Sequence, residues 1–356
     1  MSEKEKPALF DAFPELEAKI TRIPIGDFPT PVHELKNIGN GRLWVKRDDL
    51  TAKEYGGNKV RKLEFILGHA RSLKKNHIVT VGGAGTNHGL ATTIYAGKLG
   101  IKTTLILFDQ PANDYVRRNM LLFHKYGAEI IYKRTMFKLG LQYAIFQRLK
   151  NPGAYFLYAG GSTVHGTLGF VNAAFELKMQ IDNKKLPRPG LIVCPLGSNG
   201  TLAGLALGML LSGLNIPVIG IRVTSANLGP LQVAGEKAVK SLMKHTLRFL
   251  QRCSSHIPHV NTIAPKVMHN YFGNCYGCET KEGLAAIKAM KDSNNIELEP
   301  TYTGKTFAAA LDLAKDTSLN NEPILYWNTY SSADLSDHSK GIDYRELPKE
   351  LHGYFE

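Results

Sequence analysis

The sequence predicts an α/β fold in which mostly parallel sheets are covered by helices on both faces. Three observations carry this. Apolar runs of four to seven residues alternate with longer stretches of helical period along almost the whole chain. At 356 residues the chain exceeds what one small core organises, so two lobes are expected. No repeat, low-complexity tract or long polar linker separates them, so the second is expected as an insertion within the first.

The elements follow in order. A short apolar run at 43–46 reads as a strand and leads to a helical pattern at 60–73. Strand and helix then pair at 77–81 with 87–99, and at 103–108 with 114–126. Strands at 129–132 and 155–158 precede a helix at 166–179. The pairs 191–194 with 202–211 and 218–223 with 235–250 repeat the unit. Helices at 280–291 and 306–315 precede a last strand at 323–327. This alternation argues for βαβ units. In such sheets ligands sit beyond the carboxyl ends of the strands, on the loops that open the next helix.

Composition removes several function classes. No apolar run approaches the roughly 18–20 residues that span a membrane. The first residues, MSEKEKPALF, are charged and lack an export-type apolar stretch, so a cytoplasmic protein is expected. The four cysteines do not suggest a disulfide scaffold. The formal charge of +13 is spread along the chain, without an aromatic-interleaved basic stripe or a zinc-finger spacing. A solvated basic surface is expected rather than a nucleic-acid partner.

Three glycine-rich loops carry the candidate chemistry. The first is Gly56-Gly57-Asn58-Lys59-Val60-Arg61-Lys62. Its glycines permit a tight turn, and Asn58 is expected to cap the following helix. Lys59 and Lys62 share one face of the first turn, where the helix end is already positive. Either both lysines point into water, or an anion or a covalent use of the amine resolves the conflict. The second loop, Gly82-Gly83-Ala84-Gly85-Thr86-Asn87-His88-Gly89, offers backbone amides of Thr86, Asn87 and His88 to a carboxylate. His88 taken alone reads as a packed histidine. The third, Gly197-Ser198-Asn199-Gly200-Thr201, joins glycines and hydroxyls to a helix start, as a phosphate dianion requires. It lacks the lysine of a nucleotide-binding P-loop.

Cys275 and Cys278 form a CxxC with no second pair and no nearby paired histidines. They are expected to be two unrelated small residues in a loop, and no metal site is expected.

Together the three loops resemble the family containing 1-aminocyclopropane-1-carboxylate (ACC) deaminase and D-cysteine desulfhydrase, which depends on pyridoxal 5'-phosphate (PLP). The resemblance runs from about Pro29 to about Thr329, and GGNKVRKLEFIL is its most specific mark. It implies a tryptophan-synthase-β-like fold of type II, with residues 1–60 and 166–356 as the large domain and 61–165 inserted. It also implies a homodimer. Lys59 would hold PLP as a Schiff base, and Lys62 would reach its phosphate, wrapped by Gly197, Ser198, Asn199, Gly200 and Thr201. Asn87 would bond the pyridoxal hydroxyl, and Thr86, Asn87 and His88 the substrate carboxylate. Tyr276 and Tyr302 resemble the family's two active-site tyrosines, which with Lys59 and Thr86 make the catalytic set.

Two positions discriminate within the family. ACC deaminases place Glu directly after the second tyrosine, where this chain has Thr303, and Leu near the last strand, where it has Thr329. A neutral hydroxyl at the pyridine nitrogen implies a weaker electron sink, sufficient when thiolate leaves the β-carbon. The expected reaction is therefore elimination from D-cysteine to pyruvate, ammonia and sulfide. ACC deamination to 2-oxobutanoate is the runner-up, and a non-catalytic PLP-binding protein is the alternative of another class. The chain departs from the family at Thr86, usually Ser; at 328–332, usually a Gly-Gly-bearing stretch; and at Cys275 and Cys278, usually a Gly- and Pro-rich segment.

Overall fold

The computed structural model describes residues 6–228, 231–232, 234–319 and 322–356. Two sheets organise them. The larger has six strands in the order β1 (Val32–Glu34), β2 (Leu43–Arg47), β12 (Ile324–Asn328), β7 (Leu191–Leu196), β8 (Val218–Arg222) and β11 (Val267–Met268). Only β1 runs antiparallel, on one edge. The smaller, wholly parallel sheet has the order β5 (Glu129–Tyr132), β4 (Lys102–Phe108), β3 (His77–Gly83) and β6 (Tyr155–Leu157). A short antiparallel pair, β9 (Asn227–Leu228) and β10 (Leu231–Gln232), stands apart.

Thirteen α-helices flank the strands among the described residues: α1 (Ala8–Ala12), α2 (Glu15–Lys19), α3 (Asn58–Ser72), α4 (Asn87–Gly97), α5 (Asp114–Lys125), α6 (Met136–Leu141), α7 (Gln147–Lys150), α8 (Val164–Asp182), α9 (Gly200–Leu211), α10 (Glu236–Cys253), α11 (Lys281–Asn294), α12 (Thr303–Lys315) and α13 (Ser336–Ser339). None of them is long and apolar enough to cross a membrane.

Strand β12 displays the packing logic. All five of its residues are buried, and they alternate between two cores as the strand period requires. Leu325 and Trp327 join the core packed with α8, α9 and α10, whereas Ile324 and Tyr326 join that of α11 and α12. Helix α3 links the two sheets. Its Phe65 lies in the first of these cores, while Val60, Leu63, Ile66 and Leu67 pack against the smaller sheet's core with α4.

Beneath α3 lies a buried charge network. Arg61 donates to Asp48 at 2.7 Å and to Glu176 at 2.7 Å; Lys46 reaches Glu176 at 2.5 Å, and the Trp327 indole donates to Asp48 at 2.7 Å. Burial alone would raise the Glu176 carboxyl, but Arg61 and Lys46 outweigh it and hold the pKa at about 2. These bonds tie α3, α8, β2 and β12 together, and so fix where the first turn of α3 points.

The observed helix limits differ from expectation by up to three residues at starts and ends alike. Helix α12 begins at Thr303 rather than 306, because the Glu299 carboxylate accepts the amides of Thr301, Tyr302 and Thr303. Helix α3 begins at Asn58, so its cap is Gly57, at φ 88, and not Asn58. The boundaries expected at 60/61 and 165/166 fall inside α3 and α8.

Candidate active site

The carboxyl ends of β2, β12 and β7 lie on one edge of the larger sheet, and that of β3 ends the smaller one. The three glycine-rich loops leave from β2, β3 and β7 at these ends. Gly57 shows why glycine is needed. Its φ is 88, and a Cβ there would lie 2.8 Å from the Tyr330 carbonyl and 2.9 Å from that of Thr329. The start of α3 is thereby docked on the segment after β12, with the Asn58 amide donating to Thr329 O at 3.2 Å.

Freed from capping, the Asn58 side chain binds two candidate site residues. Its Oδ1 accepts from Lys59 Nζ at 2.8 Å, and its Nδ2 donates to Thr201 Oγ1 at 3.2 Å. Lys59 is partly buried, and burial lowers its pKa to about 8 against a small opposing pull from Glu299. Lys62 is 2% exposed and donates to Gly160 O at 3.0 Å. A Cβ on Gly200 would lie 3.1 Å from Lys62 Nζ, which puts the ammonium at the positive end of α9. Burial, then Lys59, drive its pKa well below the usual lysine range.

The third loop surrounds that ammonium. Asn199 turns it at φ 66, and Gly200 N donates to Ser162 Oγ at 3.0 Å and Ser198 O at 2.8 Å. Ser198 Oγ faces Gly160 O at 3.5 Å. Sequence reasoning missed Gly160 and Ser162, which belong to the turn after β6 and carry no motif.

In the second loop Thr86 caps α4, its hydroxyl accepting from Gly89 N at 3.2 Å. The Thr86 amide is engaged with Gly83 O at 2.9 Å, so the amides at the start of α4 that face outward are those of Asn87 and His88. Asn87 Oδ1 accepts from Tyr55 OH at 2.7 Å. The His88 ring turns away, with Nε2 3.1 Å from Thr80 Oγ1. Burial, Lys59 and Lys62 hold its pKa well below the usual histidine value, so the ring is neutral.

Tyr276 and Tyr302 meet: their hydroxyls share a hydrogen bond, with ring centroids 6.1 Å apart. Burial pushes the Tyr276 hydroxyl up to about 12 and that of Tyr302 well above its ordinary value. Tyr276 also abuts the second loop, 3.1 Å from where a Gly83 Cβ would stand. The expectation for Cys275 and Cys278 is corrected here. The two are joined by a disulfide around Tyr276, because a tight turn brings their Cα atoms to 5.2 Å, with Cys278 N donating to Cys275 O at 3.3 Å.

Thr303, next to Tyr302, and Thr329, against the start of α3, are buried, at 1% and 8% exposure. Thr303 is bonded throughout to Glu299, a buried carboxylate four residues before it that sequence reasoning also missed. Among the described residues, no cluster of three or more His, Cys, Asp or Glu is arranged to hold a metal ion.

Comparison with known proteins identifies the chain's relatives. The profile of the family described as pyridoxal-phosphate dependent enzyme matches residues 23–329. A protein of Pyrococcus abyssi provisionally named 1-aminocyclopropane-1-carboxylate deaminase is 35% identical over 332 residues, 90% of this chain and 93% of that one. The D-cysteine desulfhydrase of Serratia proteamaculans is 29% identical over 324 residues, 88% and 94% of the two chains. A solved structure described as an ACC deaminase homologue superposes with a TM-score of 0.75 at 30% identity, covering 95% of this chain and all of that one.

Proposed function

Because this chain belongs to the family of pyridoxal-phosphate dependent enzymes, lyases and deaminases with PLP as cofactor, we propose that it eliminates the β-substituent of a small amino acid. D-cysteine is the proposed substrate, giving pyruvate, ammonia and sulfide. One observation carries the reading: Lys59, an amine lowered to about 8, stands one helical turn from Lys62, a buried amine set against the start of α9.

Lys62 also tests the fit of the cofactor. Among the described residues no carboxylate pairs with it, and its partner is a carbonyl. A phosphate dianion would be held by Lys62 and the loop Gly197, Ser198, Asn199, Gly200 and Thr201, and would favour the protonated form of that amine, which burial alone disfavours. Asn87, whose Oδ1 accepts from Tyr55, would donate its Nδ2 to the pyridoxal hydroxyl. Thr303 is proposed at the ring nitrogen and Thr329 along the ring's far wall.

The bound cofactor supplies an aldehyde and a ring that withdraws electrons from the substrate's α-carbon. The amides of Asn87 and His88 hold the substrate carboxylate. Lys59 Nζ, neutral in part near pH 8, takes the proton from the α-carbon. The Tyr276 and Tyr302 hydroxyls both keep their protons at neutral pH, and one is given to the departing sulfur.

Thr329, in place of the Leu of ACC deaminases, supports the thiol substrate. The 35% identity to the Pyrococcus abyssi protein favours ACC as the second reading. A panel of D- and L-cysteine, β-chloroalanine, D-serine and ACC, scored by keto-acid product, separates them. Pyruvate with sulfide from D-cysteine supports the reading, and 2-oxobutanoate from ACC replaces it with the second. Bound PLP with no product from any substrate leaves a binding protein. We also assign residues 61–165 to an inserted domain, supported by the separate sheet built from residues 77–157.

A further inference from the structure

We propose that Glu299 is a positioning residue for the cofactor: its buried carboxylate takes the hydrogen bond of the Thr303 hydroxyl, so that Thr303 meets the ring nitrogen as an acceptor and keeps it protonated. The inference rests on the reading of Thr303 as that nitrogen's partner.

The hydrogen-bond accounting at Thr303 is nearly closed. A hydroxyl has one proton and two lone pairs. Thr303 Oγ1 accepts from Glu299 N at 2.8 Å, and its proton has two acceptors, Glu299 Oε1 and Glu299 O, each at 3.2 Å. One lone pair is left. An unprotonated ring nitrogen needs a donor, and it would have to draw the Thr303 proton away from Glu299. A protonated one donates to the remaining lone pair and leaves every existing bond intact.

Glu299 has the character this role needs. It is 3% exposed, with Oε1 accepting from Tyr302 N at 2.8 Å and Thr303 N at 2.7 Å, and Oε2 from Thr301 N at 2.7 Å. Burial outweighs the amides and holds its pKa above the ordinary carboxylate value, while the three donors aimed at one carboxylate oppose that rise. Among the described residues no lysine or arginine forms an ion pair with it, and the cations that feel it are Lys59 and Lys305. A cationic ring nitrogen reached through Thr303 completes a charge balance that the protein alone leaves open. The carboxylate missing at position 303 is thus supplied four residues earlier. The neutral hydroxyl therefore does not fix the ring as a weak electron sink, and substrate choice falls to the groups that meet the leaving atom, Tyr276 and Tyr302.

The competing role is purely structural, since Glu299 caps α12. Glu299→Gln separates the two, because it keeps an acceptor for the amides while removing the charge. The experiment loads the full-length protein with PLP labelled with 15N at the ring nitrogen and follows its resonance against pH. In the wild type the nitrogen is expected protonated near neutral pH. In Glu299→Gln its protonated-to-neutral ratio falls about tenfold or more, the change that one pKa unit gives. The turnover number falls while KM holds. Thr303→Val gives the same shift, and the double variant goes no further, because both act through one bond. If Glu299→Gln fails to fold, Thr303→Val carries the test. An unprotonated nitrogen in the wild type overturns the inference, as does an unmoved resonance in the folded variants, whatever their melting temperature. Failure of PLP to attach at Lys59 instead removes the functional reading beneath it.

Discussion

The hydroxyls of Tyr276 and Tyr302 share a single hydrogen bond, joining a disulfide-closed loop to the turn that opens α12. Two phenols that both hold their protons by burial form a proton donor with a built-in partner. Proton transfer from a positioned side chain is worth roughly 10²–10⁴-fold. Tyr302→Phe and Tyr276→Phe are each expected to lower the turnover number about 100-fold while PLP still binds. Steady-state kinetics beside a PLP titration checks this. Full activity in both variants would remove the tyrosines from the mechanism.

The Cys275–Cys278 disulfide restrains the turn that carries Tyr276. Closing so short a loop stabilises by about 2 kcal/mol at most, so its larger expected effect is on the tyrosine's position. Thiol titration of the denatured chain should count two free groups, Cys194 and Cys253, and four after reduction. The double variant Cys275→Ser/Cys278→Ser should lose several-fold in kcat/KM with its fold retained. Four thiols before reduction would contradict the bond.

Lys62→Met removes the buried amine at the start of α9 while keeping an unbranched side chain. A charge-assisted bond to phosphate contributes about 2–3 kcal/mol, so PLP binding should weaken roughly 30- to 150-fold. Fluorescence titration of the apo-protein reads it. Unchanged affinity would place the phosphate elsewhere.

The pH behaviour of the apo-protein follows from Lys59. Its folded pKa of about 8 lies below the ordinary 10.5, so between these values the unfolded chain binds more protons and stability rises with pH. The neutral amine that reacts with an aldehyde gains tenfold per unit up to about 8 and levels off above it. Stopped-flow measurement of PLP attachment against pH should show that plateau. A rate still climbing toward pH 10 would mean an unperturbed lysine.

Acid lability has a separate source. Burial and the stacked His69, 3.6 Å away between ring centroids, lower His165 to about 4. The unfolded histidine titrates near 6.5, so stability present above that pH is lost as pH falls from 6.5 through 4, by roughly 2–3 kcal/mol. His165→Phe should flatten urea-derived stability across that window. An unchanged slope would exclude the pair as the cause.

Much of the architecture was legible because β–α alternation imposes periods that local sequence cannot hide. The eight strands read from apolar runs all occur, and Glu129–Tyr132 has the expected limits. Strands β1 and β11, of three and two residues, are too short to carry a period. The start of α12 was missed because it depends on a carboxylate four residues away rather than on apolar spacing. At the site, the glycine loops were visible because their backbone needs are written in residue type. Tyr55 and Glu299 were not, and Asn58 was read as a cap, because each acts by a side-chain bond to a residue distant or oriented in ways that composition does not record. The cysteine pair was misjudged because a turn, not a motif, brings the sulfurs together.

The central claim concerns the amine at position 59. Borohydride reduction of the PLP-loaded protein, followed by peptide mapping, should find a pyridoxyl group on the peptide containing Gly57-Asn58-Lys59, and Lys59→Ala should abolish it. A pyridoxyl group on Lys62 or another lysine, or none at all, would contradict the account.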